Sequence, residues 1–261
     1  MLAGAISGSI FASPSVAQIV NAVTLLHKDR SADSKGVLLV VKNYTGDVLH
    51  FNLAASKLRT TAGIKVSVVV VGDDVSVGRA KSGRVGRRGL AGTVFVHKIA
   101  GALAAEGAGL EEVTKVAEEV AGNLVTVAAS LDHVHVPGRA KDEESLLGEQ
   151  EMELGMGIHN EPGSEKIKVP ELKVLMGRML DQLLDPNDKD RAYLSGSEGG
   201  EFALMVNNLG GLSVLEMGAI SKVIAEELSM LANYNMIPNA NLPDQLVLAS
   251  LPSPASILAL S

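Results

Sequence analysis

Lys42 and Asp47 are placed by type and spacing to do chemistry. They bracket the turn Lys42-Asn43-Tyr44-Thr45-Gly46-Asp47, which directly follows the apolar run Val37-Leu38-Leu39-Val40-Val41. A short, β-branched apolar run reads as a strand buried in a parallel sheet. Ligands of open α/β sheets bind outside the carboxyl ends of the strands, which is where these polar residues fall. Lysine brings a charged donor, and aspartate an acceptor able to take a proton. On pattern alone, a solvated strand-to-helix turn is the simpler reading of the same residues.

His159 is the second candidate. It lies in Leu154-Gly155-Met156-Gly157-Ile158-His159-Asn160-Glu161-Pro162-Gly163. The glycines permit close backbone approach and positive φ, and Pro162 fixes one φ and removes a donor. A lone histidine is usually a structural or surface residue. Here a rigid turn holds the imidazole with Glu161 close by in sequence. A neutral imidazole nitrogen is a nucleophile, and a ketone carbonyl is a fitting electrophile for it.

Other clusters have simpler explanations. Asp73-Asp74 at a strand end offer hard oxygen ligands for a metal. Adjacent acids diverge, however, and no third ligand is evident, so a structural or helix-capping role is preferred. Arg79, Lys81, Arg84, Arg87 and Arg88 are interleaved with glycines and offer charge for a phosphate or a partner. With no aromatics among them, solvated or paired arginines in a structural loop fit better. His133 and His135 alternate as on one strand face, yet nothing completes a metal set, and a surface strand is expected. Asn207-Asn208 can orient a polar ligand or, with Gly210-Gly211, form a tight turn.

The elements that must hold these residues follow a strand–turn–helix rhythm. Ser13-Pro14 reads as an N-cap and first helical position, leading a face of Val16, Ile19, Val20 and Val23. Strand 37–41 precedes a helix over 51–60 with Leu53 and Leu58 inward. Strand 66–71 ends at Gly72-Asp73-Asp74. Helices are predicted over 92–106 and 110–123, the latter with Val113, Val116, Ala117 and Val120 on one side, and then a strand over 124–129. Residues 131–150, with Asp142-Glu143-Glu144, read as an irregular junction. Beyond it come a helix over 169–184 (Leu172, Leu175, Met176, Met179, Leu183), a charged loop over 185–200, a strand over 202–206 and a helix over 213–231. Alternation of this kind implies an α/β fold of parallel-sheet layers. It is divided into residues 1–130 and 131–261, the second part carrying the histidine loop.

Composition sets bounds. Of 261 residues, 46% are hydrophobic and 20% charged, which is globular composition with material for a sizeable core. Aromatics make up only 3%, so that core must be aliphatic. The net charge of −7 argues against nucleic acid or an anionic membrane as the main partner. The absence of cysteine excludes disulfides, thiolate catalysis and cysteine-based zinc sites. No signal peptide or spanning segment is read, and a reducing cytoplasm is the expected compartment.

Together these segments resemble the substrate-binding domain of the ATP-dependent dihydroxyacetone kinases. The likeness runs through Ser13-Pro14-Ser15-Val16, the turn at 42–47, Val71 to Val75, Gly86 to Thr93 with Val96-His97-Lys98, Glu153 to Gly163, and Met205 to Gly211. It implies that His159 adds to the ketone carbon of dihydroxyacetone as a hemiaminal. It further implies that Lys42 and Asp47 hold the substrate hydroxyls, with Asp47 assisting deprotonation of the hydroxyl to be phosphorylated. Family members carry an upstream GGGSGHEP-like segment with a second catalytic histidine. None of His27, His50, His97, His133 and His135 lies in such a motif, and the first strands of the N-terminal part are expected to be missing. Leu251-Pro252-Ser253-Pro254-Ala255-Ser256 does not resemble the family.

The family holds ATP and magnesium on a separate helical domain, and no GxxxxGK(S/T) sequence occurs here. The expectation is therefore that this chain binds no cofactor or metal itself and works with an ATP-bearing domain in trans. A homodimer is expected as well, since family members commonly pair through this domain. The leading expectation is a dihydroxyacetone-binding component of the kinase. The alternative is a catalytically inactive binding or regulatory protein on the same scaffold.

Overall fold

The computed structural model describes residues 2–29, 34–138, 147–194, 201–230, 235–236 and 256–260, with side chains except at 201, 235–236 and 256–260. The acidic cluster Asp142-Glu143-Glu144, residues 195–200 of the charged loop, Leu231 at the end of the last predicted helix, and most of the tail singled out above lie outside the described residues. The chain forms two compact units that interleave in sequence: Met1–Gly72 with Thr93–Gly122, and Asp73–Gly92 with Asn123–Ser261.

In the first unit, β1 (Val37–Lys42) and β2 (Val66–Val71) pair in parallel, with Val37 opposite Val66 and Lys42 opposite Val71. Helix α2 (Thr45–Thr61) packs on both strands and on α1 (Val16–Asp29). Period-two alternation turns Leu39 and Val41 into a core with Ile19, Val23, Phe51, Ala54, Ala55 and Leu58. Each large aliphatic side chain buried there contributes about 1.5–3 kcal/mol relative to exposure. Helices α4 (Thr93–Ala105) and α5 (Leu110–Gly122) pack on each other and also against the strands. Val113 and Ala117 of α5 are buried, as the helical spacing predicts.

Three local expectations are corrected. The cap of α1 is Ser15: its hydroxyl accepts from the Gln18 N–H at 3.2 Å, and Gln18 Oε1 accepts from the Ser15 N–H at 2.8 Å. This reciprocal capping box frees Ser13 for another partner. Helix α2 starts at Thr45, so Asp47 lies in its first turn, where the helix dipole favours an acid. Leu53 is exposed, because the inward stripe of α2 is Phe51, Ala54, Ala55 and Leu58.

In the second unit, a four-stranded sheet has the order β3 (Leu124–Val127), β9 (Ser256–Leu260), β7 (Glu201–Val206), β8 (Asn235–Met236), with every pairing parallel. Helix α6 (Leu172–Leu184) packs on β3 and on α7 (Val214–Met230) through Met176, Met179, Leu180 and Leu183. Helix α3 is a single turn, Arg79–Ser82. The departure from uniform parallel layering is a three-stranded antiparallel sheet of β4 (Ala129–Ser130), β5 (Glu151–Leu154) and β6 (Glu165–Lys168). Residues 155–164 therefore form the tip of the β5–β6 hairpin. The sequence Glu-Met-Glu-Leu facing Glu-Lys-Ile-Lys sets Glu151 opposite Lys168 and Glu153 opposite Lys166, pairs that favour this register.

Candidate functional site

The first group of chemical residues stands at the carboxyl end of β1, within the first unit. Lys42 ends the strand, and the Asn43 N–H donates to Val71 O at 2.8 Å, carrying the ladder one step further. The chain then turns directly into α2. Ser13 donates its hydroxyl to Asp47 Oδ2 at 2.9 Å. A Cβ on Gly46 would stand 2.6 Å from that hydroxyl oxygen, so glycine is what admits it. The His50 ring meets Pro14 O at 2.8 Å. A carbonyl only accepts, so Nδ1 carries the proton. Residues 13–14 thus form a strap over the start of α2 that fixes the Asp47 carboxylate. Half-buried His97 projects from α4. Burial first, and then the charge of Lys42, lower its pKa below the ordinary value of 6.5. His97 was visible only as part of a longer motif, and nothing in its spacing marked it as a neighbour of Lys42.

The second group is the hairpin tip in the second unit. His159 Nδ1 lies 3.0 Å from Glu161 Oε1, while the His159 backbone N–H donates to Glu161 Oε2 at 3.0 Å. The Gly157 N–H donates to Glu161 O at 2.9 Å, closing the turn. A carboxylate accepts only, so Nδ1 is the protonated nitrogen and the lone pair is left on Nε2. Partial burial alone would raise the Glu161 carboxyl, but the bonds from the His159 backbone and ring outweigh it and hold the acid below its usual range. Imidazole and carboxylate side chains are 32% and 33% exposed, open enough for a small ligand to reach. Asn160 takes a left-handed φ of 63°. Its side chain accepts from the Val134 N–H at 2.7 Å and donates to Val134 O at 2.8 Å, anchoring a conformation that asparagine tolerates.

The remaining candidates have structural duties. Fully buried Asp73 accepts from the Leu90 N–H at 2.6 Å, the Gly92 N–H at 2.8 Å and the Thr126 hydroxyl. Buried Asp74 accepts from the Ser76 N–H at 2.9 Å, from the Ser76 hydroxyl and from Arg88. Both acids anchor loops, a structural role. Among the described residues, no group of three or more His, Cys, Asp or Glu side chains is arranged to hold a metal. The basic run is largely paired. Arg79 donates to Ala192 O at 2.8 Å and Arg87 to Leu124 O at 2.9 Å, and both guanidinium groups stack on the Tyr193 ring. Residues 131–136 are not a strand. Asn208 accepts from the Gly210 N–H at 2.8 Å and donates to Leu212 O at 2.7 Å, as a tight turn requires. Arg88, Glu153 and Asn160 as supports of the histidine loop escaped the sequence reading, because the bonds that tie the loop down run between these side chains and backbone atoms distant in sequence.

A family model described as the Dak1 domain matches residues 1–243. Dihydroxyacetone kinase 1 of Saccharomyces cerevisiae is 52% identical over 243 residues, covering 91% of this chain and 40% of that protein. The chain thus spans about 40% of the length of the curated relatives it matches. Among solved structures, the C. freundii dihydroxyacetone kinase in complex with AMP-PNP and Mg2+ matches with a TM-score of 0.71 and 34% identity, over 89% of this chain and 40% of that one. The dihydroxyacetone kinase operon co-activator Dha-DhaQ matches with a TM-score of 0.71 and 26% identity, over 92% of this chain and 68% of that one.

Proposed function

The chain belongs to the Dak1 domain family of the dihydroxyacetone kinases, and we propose that it captures dihydroxyacetone covalently for ATP-dependent phosphorylation. The observation that carries this reading is the His159–Glu161 pair, 3.0 Å apart in a loop the family resemblance singles out. With the proton on Nδ1, the Nε2 lone pair adds to the ketone carbon. A carbon–nitrogen bond forms, the carbonyl π pair moves to oxygen, and that oxygen takes a proton. The positive charge developing on the ring is met by the Glu161 carboxylate, the arrangement by which carboxylates support catalytic imidazoles. Loss of the Nδ1 proton leaves a neutral hemiaminal. Glycerol has no electrophilic carbon and is rejected.

In this reading His159 is the covalent residue, and Lys42 and Asp47 act on the substrate hydroxyls. Asp47 takes the proton of the hydroxyl that receives phosphate. ATP and Mg are brought by a separate domain, as the AMP-PNP and Mg2+ in the C. freundii relative suggest, and the chain works as a homodimer. The likeness to the operon co-activator favours a second reading, a ketone-binding regulatory protein without turnover. Glycerone phosphate formation with an intact ATP domain supplied in trans separates the two, since the regulatory reading expects none.

The test of capture is a thermal melt with dihydroxyacetone, using glycerol as control. A ligand that binds only the folded state stabilises it by about 2.7 kcal/mol at a hundred times Kd. Dihydroxyacetone is expected to raise Tm in the parent and not in His159→Ala, and glycerol to leave both unchanged. Equal shifts in parent and variant would overturn the role of His159.

A further inference from the structure

We infer that Arg88, locked in place by the buried Asp74 carboxylate, is a positioning residue that presets the His159 loop for attack on the ketone. The inference rests on the proposed role of His159. Arg88 Nε donates to Asp74 Oδ2 at 2.6 Å, with side-chain exposures of 13% and 0%. The rest of the guanidinium then faces the hairpin tip. Nη2 donates to Gly155 O at 2.8 Å and to Ser76 Oγ at 3.1 Å, and Nη1 reaches Pro162 O at 3.3 Å. One planar group therefore holds both shoulders of the turn that carries His159.

The same fork approaches the acid that orients the ring. A Cβ on Gly157 would collide with Glu161 Oε2 and lie 2.6 Å from Arg88 Nη1, so both atoms crowd the bare side of that glycine. Ser76 Oγ, which accepts from Arg88 Nη2 and gives its one proton to Asp74, lies 3.0 Å from Gly155 O, and buried Glu153 completes the seat by accepting from the Gly163 N–H at 2.6 Å. Lysine can replace the charge of Arg88 but not its fixed fork of donors.

The experiment compares the full chain with Arg88→Lys, and with Arg79→Lys as a control from the same basic run. Each protein is loaded with dihydroxyacetone. Adduct on His159 is read by peptide mass mapping, and its loss by exchange against isotope-labelled dihydroxyacetone. Ring-nitrogen NMR shifts of His159 report the tautomer, and a melt reports global folding. The parent is expected to hold the adduct with the proton on Nδ1. Arg88→Lys is expected to melt cooperatively yet lose adduct roughly tenfold or more faster, the cost of a misplaced reacting group, with mixed tautomers. Arg79→Lys should match the parent.

If the parent forms no adduct, the role of His159 fails and this inference falls with it. If the parent forms adduct and Arg88→Lys matches it in exchange and tautomer, the positioning role alone is overturned. Should Arg88→Lys fail to fold, Ser76→Ala carries the test. Exchange about threefold faster, the worth of one modest hydrogen bond, supports the seat, and unchanged exchange overturns it.

Discussion

Lys42 and His97 show how much a single charge decides at the end of β1. His97 is held below the ordinary 6.5 by burial and, after that, by the ammonium of Lys42. Lys42→Met should therefore raise the apparent pKa of His97, measured by NMR titration, and an unchanged value would mean that the ammonium does not act on the ring. At the hairpin tip a downward shift instead favours the charged form. Glu161 sits below the ordinary 4.5 in the fold. Its contribution to stability is complete above that value and fades as pH falls through the lowered folded pKa. Glu161→Gln should flatten the acid side of the stability profile between neutral pH and about pH 3, and a parent-like slope in melts across that range would refute the link. The residue types at both places were legible in the sequence, since a histidine two positions from a glutamate among glycines is a conspicuous pattern. The partners were not, because Ser13 meets Asp47 across 34 positions and no local period announces that contact.

Helix α1 separates two serines that the sequence could not tell apart. Ser15 closes the capping box, whereas Ser13 holds Asp47. Ser15→Ala should cost about 1 kcal/mol of stability and leave dihydroxyacetone binding alone. Ser13→Ala should weaken binding with a smaller effect on the denaturant midpoint. Chemical unfolding of both variants, read beside ligand titration, checks the assignment. The β5–β6 hairpin teaches a related lesson. β5 alternates charge and hydrophobe and β6 carries Lys166 and Lys168, and the sequence assigned neither strand, because both are short and poor in β-branched residues. The parallel strands β1, β2 and β7 were plain as short apolar runs bounded by turn residues: Val and Leu in β1, Val with one Ser in β2, and Phe-Ala-Leu-Met-Val in β7.

On the scale of the whole molecule, the tail is where sequence and structure differ most. The family match ends at residue 243, yet Ser256–Leu260 forms β9, paired in parallel with β3 on one side and with β7 on the other. Composition gave no hint of this, because Ser-Ile-Leu-Ala-Leu is too short for a period to identify. Truncation before residue 256 should strip hydrogen-exchange protection from the amides of β3 and β7, while β1 and β2 keep theirs. Retained protection in β3 and β7 would show that the strand is dispensable. The order of synthesis gives this arrangement a further meaning. β3 and β7 leave the ribosome well before the strand that belongs between them. At about 5–20 residues per second, the roughly 50 residues from Val206 to Ser256 impose a wait of several seconds. During that interval two apolar strand edges stand open and able to pair with a neighbouring nascent chain.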